Sequence, residues 1–146
     1  MQKNNSDLFY VCSLIEYIGR KTLNDRKKVV DSLGFDNIAV IYKYAGIVHC
    51  EPIAKVADEW IEEVQLITGE YDNVGECRYR IPDYWTIGEV CERLIEDCFE
   101  EGEEVKGIWE VYHSWIIENI SDYNTDFYYQ SRDYIAACYK AGVVLD

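Results

Sequence analysis

The fold class this sequence predicts is mainly α: a single-domain bundle of six or seven helices over residues 1–146. Three observations predict it. Apolar residues recur at three- and four-residue spacing through most of the chain, as they do on the buried face of a helix. The 146 residues are 49% hydrophobic and 14% aromatic, too rich for a disordered chain and long enough to bury a core without a disulfide or metal staple. Prolines number only two and glycines nine, which excludes collagen-like and low-complexity readings.

The elements follow in order. Leu8, Val11, Cys12, Ile15 and Ile18 form the stripe of a first helix over about 7–21, with Ser6 as its N-cap. Asn24 would cap a second helix at 25–33, closed by Gly34. Asp36 would cap a third, carrying Ile38, Ile41, Tyr42 and Ala45 and ending at Gly46. Pro52 suits the first turn of a fourth, about 52–66, with Ile53, Val56, Ala57, Trp60 and Val64 on its stripe. Residues 67–85 lose the helical pattern, and Gly69, Gly75 and Pro82 punctuate them, so the segment is a candidate joint between subdomains. Within it Cys77, Tyr79 and Ile81 alternate with Arg78 and Arg80, which predicts a short strand at 76–81 and leaves room for a β-hairpin near 72–81.

Helical spacing then resumes with Ile87, Val90, Cys91, Leu94, Ile95 and Cys98. The next predicted helix, about 103–120, carries Val105, Ile108, Trp109, Tyr112, Trp115, Ile116 and Ile120, with Val111 and Ile117 widening its apolar face. Residues 121–130 read as an aromatic loop, and Ser131 caps a last helix, 132–141, ended by Gly142. Residues 36–46 echo residues 133–142, with one residue deleted.

Charge excludes several functions. The chain has 14 Lys and Arg against 28 Asp and Glu, a net charge of −14. That balance argues against gripping nucleic-acid phosphates and against docking on an anionic membrane. Residues 1–7 are polar and lack the apolar region of a secretory signal. Six cysteines without a C-x-x-C pair, four of them (Cys12, Cys91, Cys98 and Cys138) on apolar stripes, fit a cytoplasmic protein that uses reduced Cys as a small core residue.

The acidic segment 96–104 is the sharpest candidate site. Glu96, Asp97, Glu100, Glu101, Glu103 and Glu104 supply six carboxylates in nine residues, and Glu89 and Glu92 extend the negative face along the preceding helix. Crowded carboxylates raise the local potential and speed capture of a basic partner. Tyr123, Phe127, Tyr128 and Tyr129 of the aromatic loop are the second candidate contact, because such side chains give large contact area at low entropy cost. Both features also suit a solvated helix face and a core edge. Glu110-Val-Tyr-His113 has the i, i+3 spacing of a helical metal ligand pair, but it occurs once, and no metal or cofactor is predicted. His49 beside Cys50 lacks an orienting third group, and no phosphate loop or nucleophile elbow is present, so an enzyme is not predicted. The small basic island Arg78-Tyr79-Arg80 is read as pairing within the chain.

The stretch Arg26–Gly34, followed by Ile38–Ala45 and Pro52–Ile61, resembles small uncharacterised helical bacterial proteins of mobile-element and defence-linked gene clusters. The likeness covers about 40 of the 146 residues and contains no catalytic signature. It implies a neutralising partner protein, since toxins, antitoxins and inhibitors abound in such clusters. The function expected is therefore non-enzymatic. An acidic protein would occlude a basic surface of a protein partner, such as a nucleic-acid-binding enzyme or a toxin, in the manner of an antitoxin or anti-defence inhibitor that places carboxylates where phosphates would sit. The alternatives are a small metal or carboxylate enzyme built on Glu110 and His113, and a structural subunit of a larger assembly.

Overall fold

In the computed structural model, which describes residues 5–146, the Asn5 side chain accepts from the Leu8 amide at 3.0 Å and opens α1 (Ser6–Thr22). The cap thus lies one residue before the predicted Ser6. Residues 1–4, part of the polar start noted above, lie outside the described residues. α2 (Arg26–Leu33) is capped by Asp25 rather than Asn24, because Asn24 is buried and spends its amide on Thr22 and on the Ile67 carbonyl. Gly34, at φ +83, ends α2 and starts α3 (Phe35–Val48) in the same residue, a backbone state that side chains rarely adopt. α3 runs through Gly46, so the echo with the last helix does not extend to its stop. α4 (Ile53–Glu63) follows directly after Pro52.

α5 (Tyr84–Cys98) is capped by Asp83, and its packing on α1 is the most extensive in the fold. The two helices are antiparallel. The Asn5 amide donates to Glu96 Oε2 at 3.1 Å, the rings of Tyr17 and Tyr84 meet edge-on at 5.1 Å, and Arg20 reaches the Pro82 carbonyl at 2.7 Å. Gly88 sits at the closest approach. A Cβ there would lie 2.1 Å from Ser13 Oγ and 2.9 Å from Ser13 Cα. Because the second clash is with backbone, a rotamer change does not relieve it. Gly88→Ala is expected to cost about 1–3 kcal/mol, the usual range for overpacking. A urea midpoint within error of the wild type would show that the crossing has slack.

α6 (Glu104–Tyr112) and α7 (Ile116–Ser121) replace the single helix predicted over 103–120. The break is local chemistry. Ser114 donates its hydroxyl to the Val111 carbonyl at 2.7 Å, and His113 Nδ1 lies 2.7 Å from the Trp109 carbonyl. The Ser114 hydroxyl and amide both take the Val111 carbonyl that a continuing helix would have offered to Trp115, while the Trp109 carbonyl still accepts from the His113 amide at 3.2 Å. A 3-10 turn (Phe127–Tyr129) leads to α8 (Arg132–Ala141), capped by Ser131 and ended by Gly142 as predicted.

The mainly helical class holds, but the hairpin near 72–81 does not: no strand occurs among the described residues. The alternation there has no partner strand. Gly69 and Tyr71 donate to the carbonyls of Thr22 and Leu23, both at 2.8 Å. Asn73 holds the Ser121 carbonyl at 2.9 Å, and Asn124 takes the Arg78 amide at 2.8 Å and the Glu76 carbonyl at 3.2 Å. Asparagines therefore do for this connector what a ladder would have done. The buried side chains, including Cys12, Cys91 and Cys138, form one cluster, and all six cysteines are free. Among the described residues no helix is long and apolar enough to cross a membrane.

Candidate acidic and aromatic sites

The acidic segment divides into three environments. Glu92 is 2% exposed, and its Oε2 has no hydrogen-bond partner. Burial, a hydrogen bond with Glu96 and the Glu96 charge push its carboxyl up to about 9, so it stays protonated at neutral pH. Glu96 and Asp97 are half-buried against Arg132, which reaches Asp97 with two bonds of 2.8 and 2.9 Å and Glu96 at 3.4 Å. Glu96 and Asp97 tie α5 to α8, and Glu96 also ties it to the start of α1. Glu89 is exposed beside Arg93 at 3.5 Å.

The remaining four carboxylates belong to the turn between α5 and α6. Glu103 accepts from the Glu100 amide at 3.2 Å, and Glu104 accepts from the Gly102 amide at 3.1 Å. Glu103 also has Lys106 at 3.6 Å. The turn is thus held by its own acids, with Glu100 and Glu101 exposed. Glu89 lies about 17 Å from this turn along the helix, at 1.5 Å per residue.

The aromatic loop is mostly core. Tyr123 and Phe127 are buried, Tyr128 is half-buried, and Tyr129 is 82% exposed. Next to Tyr129, Gln130 shares a small depression with Glu89 and Arg93. The exposed end of the loop therefore borders the Glu89 end of the acidic face, away from the turn.

Glu110 and His113 do not converge. Glu110 is exposed with Lys106 at 3.9 Å, whereas His113 has Asp31 Oδ1 2.6 Å from Nε2 and the Trp109 carbonyl at Nδ1. Both ring nitrogens face oxygen atoms, so neither points at Glu110. Among the described residues no group of three or more His, Cys, Asp and Glu is placed to hold a metal. His49 Nε2 and Cys50 Sγ lie 4.0 Å apart on an exposed turn. Arg78 lies over its neighbour's ring, 5.9 Å from the Tyr79 centroid.

Sequence reading missed a buried charge network. Arg26 and Glu16 are each 1% exposed, and the guanidinium grips the carboxylate with two bonds of 2.9 Å. Arg20 donates to the same carboxylate at 2.8 Å, and the Tyr123 hydroxyl donates to it as well. The remaining Arg26 donors reach the Asn24 carbonyl at 2.7 Å and Asn73 Oδ1 at 3.1 Å. Burial alone would raise the Glu16 carboxyl, but the charges and hydrogen bonds of Arg26 and Arg20 outweigh it and hold the group down at about 2. Sequence offered one hint: Glu16 puts a charge among the buried residues of α1, and Gly19 leaves the space that Arg26 fills, its Cδ 2.4 Å from where a Cβ would be.

This network floors a cleft of about 730 Å³ between the start of α2, the connector at 71–76 and the α6–α7 break with the loop after α7. Sequence reading also missed an exposed apolar stripe on α3, Val40, Tyr44 and Ile47, because that helix is apolar on both faces and only one was assigned. Comparison with known proteins returns no match to this chain: no family model, no curated sequence and no solved structure is similar to it.

Proposed function

We propose that this is a non-enzymatic, acidic binding protein that covers a basic surface of a protein partner. The observation that carries the reading is the α5–α6 turn. Two of its four carboxylates, Glu103 and Glu104, hold the turn's backbone, and Glu100 and Glu101 stand exposed on it, so charge is presented without the ordering cost of a loose acidic loop. The net charge of −14 adds a long-range field of the same sign. A cytoplasmic toxin or nucleic-acid-binding enzyme is the partner class implied by the resemblance read from Arg26–Gly34, Ile38–Ala45 and Pro52–Ile61, a resemblance that the comparisons do not reproduce.

The test is association kinetics with the basic partner recovered from the host. Glu100, Glu101, Glu103 and Glu104 are changed together to Gln. Glu100 and Glu101 are exposed, and Gln at 103 and 104 keeps a side-chain oxygen to accept from the Glu100 and Gly102 amides, so the melting temperature should move by no more than a few degrees. The wild-type on-rate should fall steeply as salt rises and the variant's should fall less, because steering is screened beyond about 8–10 Å at physiological salt. Equal on-rates with equal salt dependence would reduce the turn to a solubility device.

A further inference from the structure

The cleft is the part of the molecule that the acidic turn does not explain. Its volume of about 730 Å³ lies within the ~300–1,000 Å³ of ordinary ligand sites. Asp25, Glu76, Glu118 and Asp122 stand around it, and Tyr71 and Trp115 give it aromatic walls. Two cations also line it. Lys27 is exposed at the rim, and Arg26 is the floor, its charge met by Glu16 in a two-bond pair. His113, also in the lining, faces Asp31. The carboxylates therefore outnumber the cations left to answer them.

The floor is held by its own hydrogen bonds. Arg26, Glu16, Arg20, Tyr123 and Asn73 satisfy one another, so the base of the cleft is built before any ligand arrives. An acidic cleft with aromatic walls and a fixed floor suits a flat cation. A guanidinium meets carboxylates with paired hydrogen bonds and lies face-on against aromatic rings, whereas an ammonium is a compact, strongly hydrated point charge.

We propose that this cleft receives an arginine side chain from a basic peptide segment of the partner, with the guanidinium held by Glu76, Glu118 and Asp122 and its plane against Tyr71 or Trp115. The inference rests on the reading that the partner is basic, and it adds a second, specific contact to the turn's long-range one.

The experiment is a titration of isotope-labelled full chain with capped hexa-arginine, followed by amide and Trp115 indole shifts, with hexa-lysine and free agmatine as separate arms. Two variants are compared with the wild type: Glu76→Gln/Glu118→Gln/Asp122→Asn, and the four-residue turn variant above. Wild-type spectra outside the cleft serve as the check that each variant is folded. Hexa-arginine should shift residues of the cleft and the Trp115 indole, and the cleft variant should weaken binding by about tenfold or more, as expected for lost charge-assisted hydrogen bonds. The turn variant should stay within about threefold, its loss being one of screened long-range charge. Hexa-lysine should bind more weakly than hexa-arginine. Shifts that map to residues 100–104 and vanish only in the turn variant would overturn the cleft while leaving the basic-partner reading intact. Agmatine binding as tightly as the peptide would overturn the peptide assignment in favour of a free small guanidinium. Absence of saturable binding by any arm would overturn the cleft proposal outright, and the salt dependence of the partner's on-rate would still decide the broader reading.

Discussion

Glu16→Ala is expected to lower the thermal unfolding midpoint by roughly 10–15 °C, since breaking a buried ion pair costs about 3–5 kcal/mol in a domain of this size. The cost comes from what is left behind. Arg26 is 1% exposed, and without Glu16 its guanidinium keeps only the neutral oxygens of Asn24 and Asn73. Arg20 and Tyr123 lose the same acceptor. Glu16→Gln keeps an acceptor and loses the charge, so it should fall between alanine and wild type. Replacing both partners, Glu16→Leu with Arg26→Met, should recover much of the loss, because apolar groups of similar volume leave no unpaired charge. Melting followed by circular dichroism separates these cases. An alanine variant within 2–3 °C of wild type, a shift worth only about 1 kcal/mol, would mean that the network does not hold the fold together.

Stability should peak on the acid side of neutrality, near pH 4.5–5, and decline toward pH 9. Two buried carboxyls of opposite sense set this profile. Glu16 is held down at about 2 against an ordinary value of 4.5, so its contribution is present above 4.5 and is lost as pH falls toward 2. Glu92 is pushed up to about 9, so the native state keeps a proton that the unfolded chain releases above 4.5. Its contribution is full below 4.5 and is lost progressively as pH rises toward 9, at up to about 1.4 kcal/mol per pH unit. Repulsion among the chain's excess carboxylates acts in the same direction. Glu92→Gln places an uncharged amide where the protonated carboxyl was. It should change little at pH 5 and raise the urea midpoint at pH 8, flattening the decline. A variant whose stability profile parallels the wild type from pH 5 to 8 would show that Glu92 does not titrate with unfolding.

The two halves of that profile were not equally visible in the primary structure. α8 was, because its signals are local: Ser131 before the first turn and Gly142 after the last act within four residues of themselves. The stripe of α5 was visible for the same reason, yet Glu92 was assigned to the outside. Whether an acid one turn from Gly88 faces solvent depends on how closely α1 crosses there, and that is decided by Ser13, far away in sequence. The connector misled through pattern alone, since alternation at 77–81 specifies a strand only where a second strand exists to pair with it. The break after Tyr112 was hidden because apolar spacing continues across it while Ser114 takes the Val111 carbonyl with both its amide and its hydroxyl. Of the candidate contacts, the turn carboxylates and Tyr129 are where composition suggested, on the surface. Tyr123 and Phe127 are not: the chemistry that suits a tyrosine to an interface suits it equally to a core with a polar floor, and Glu16 supplied the floor.

The α1–α5 pairing has a consequence for how the chain is made. The two helices begin 78 residues apart, at Ser6 and Tyr84, so at 5–20 residues per second a ribosome delivers the second about 4–16 s after the first. During that interval α1 can lean on α2, α3 and α4, but the side that will meet Gly88 and Cys91 has nothing to cover it. The nascent amino-terminal half therefore carries a waiting apolar seam, with Glu16 and Arg26 already paired across ten residues before Tyr123 exists to complete their set. Newly made copies truncated before residue 84 should be chaperone clients, and the vulnerability ends when the fifth helix leaves the exit tunnel.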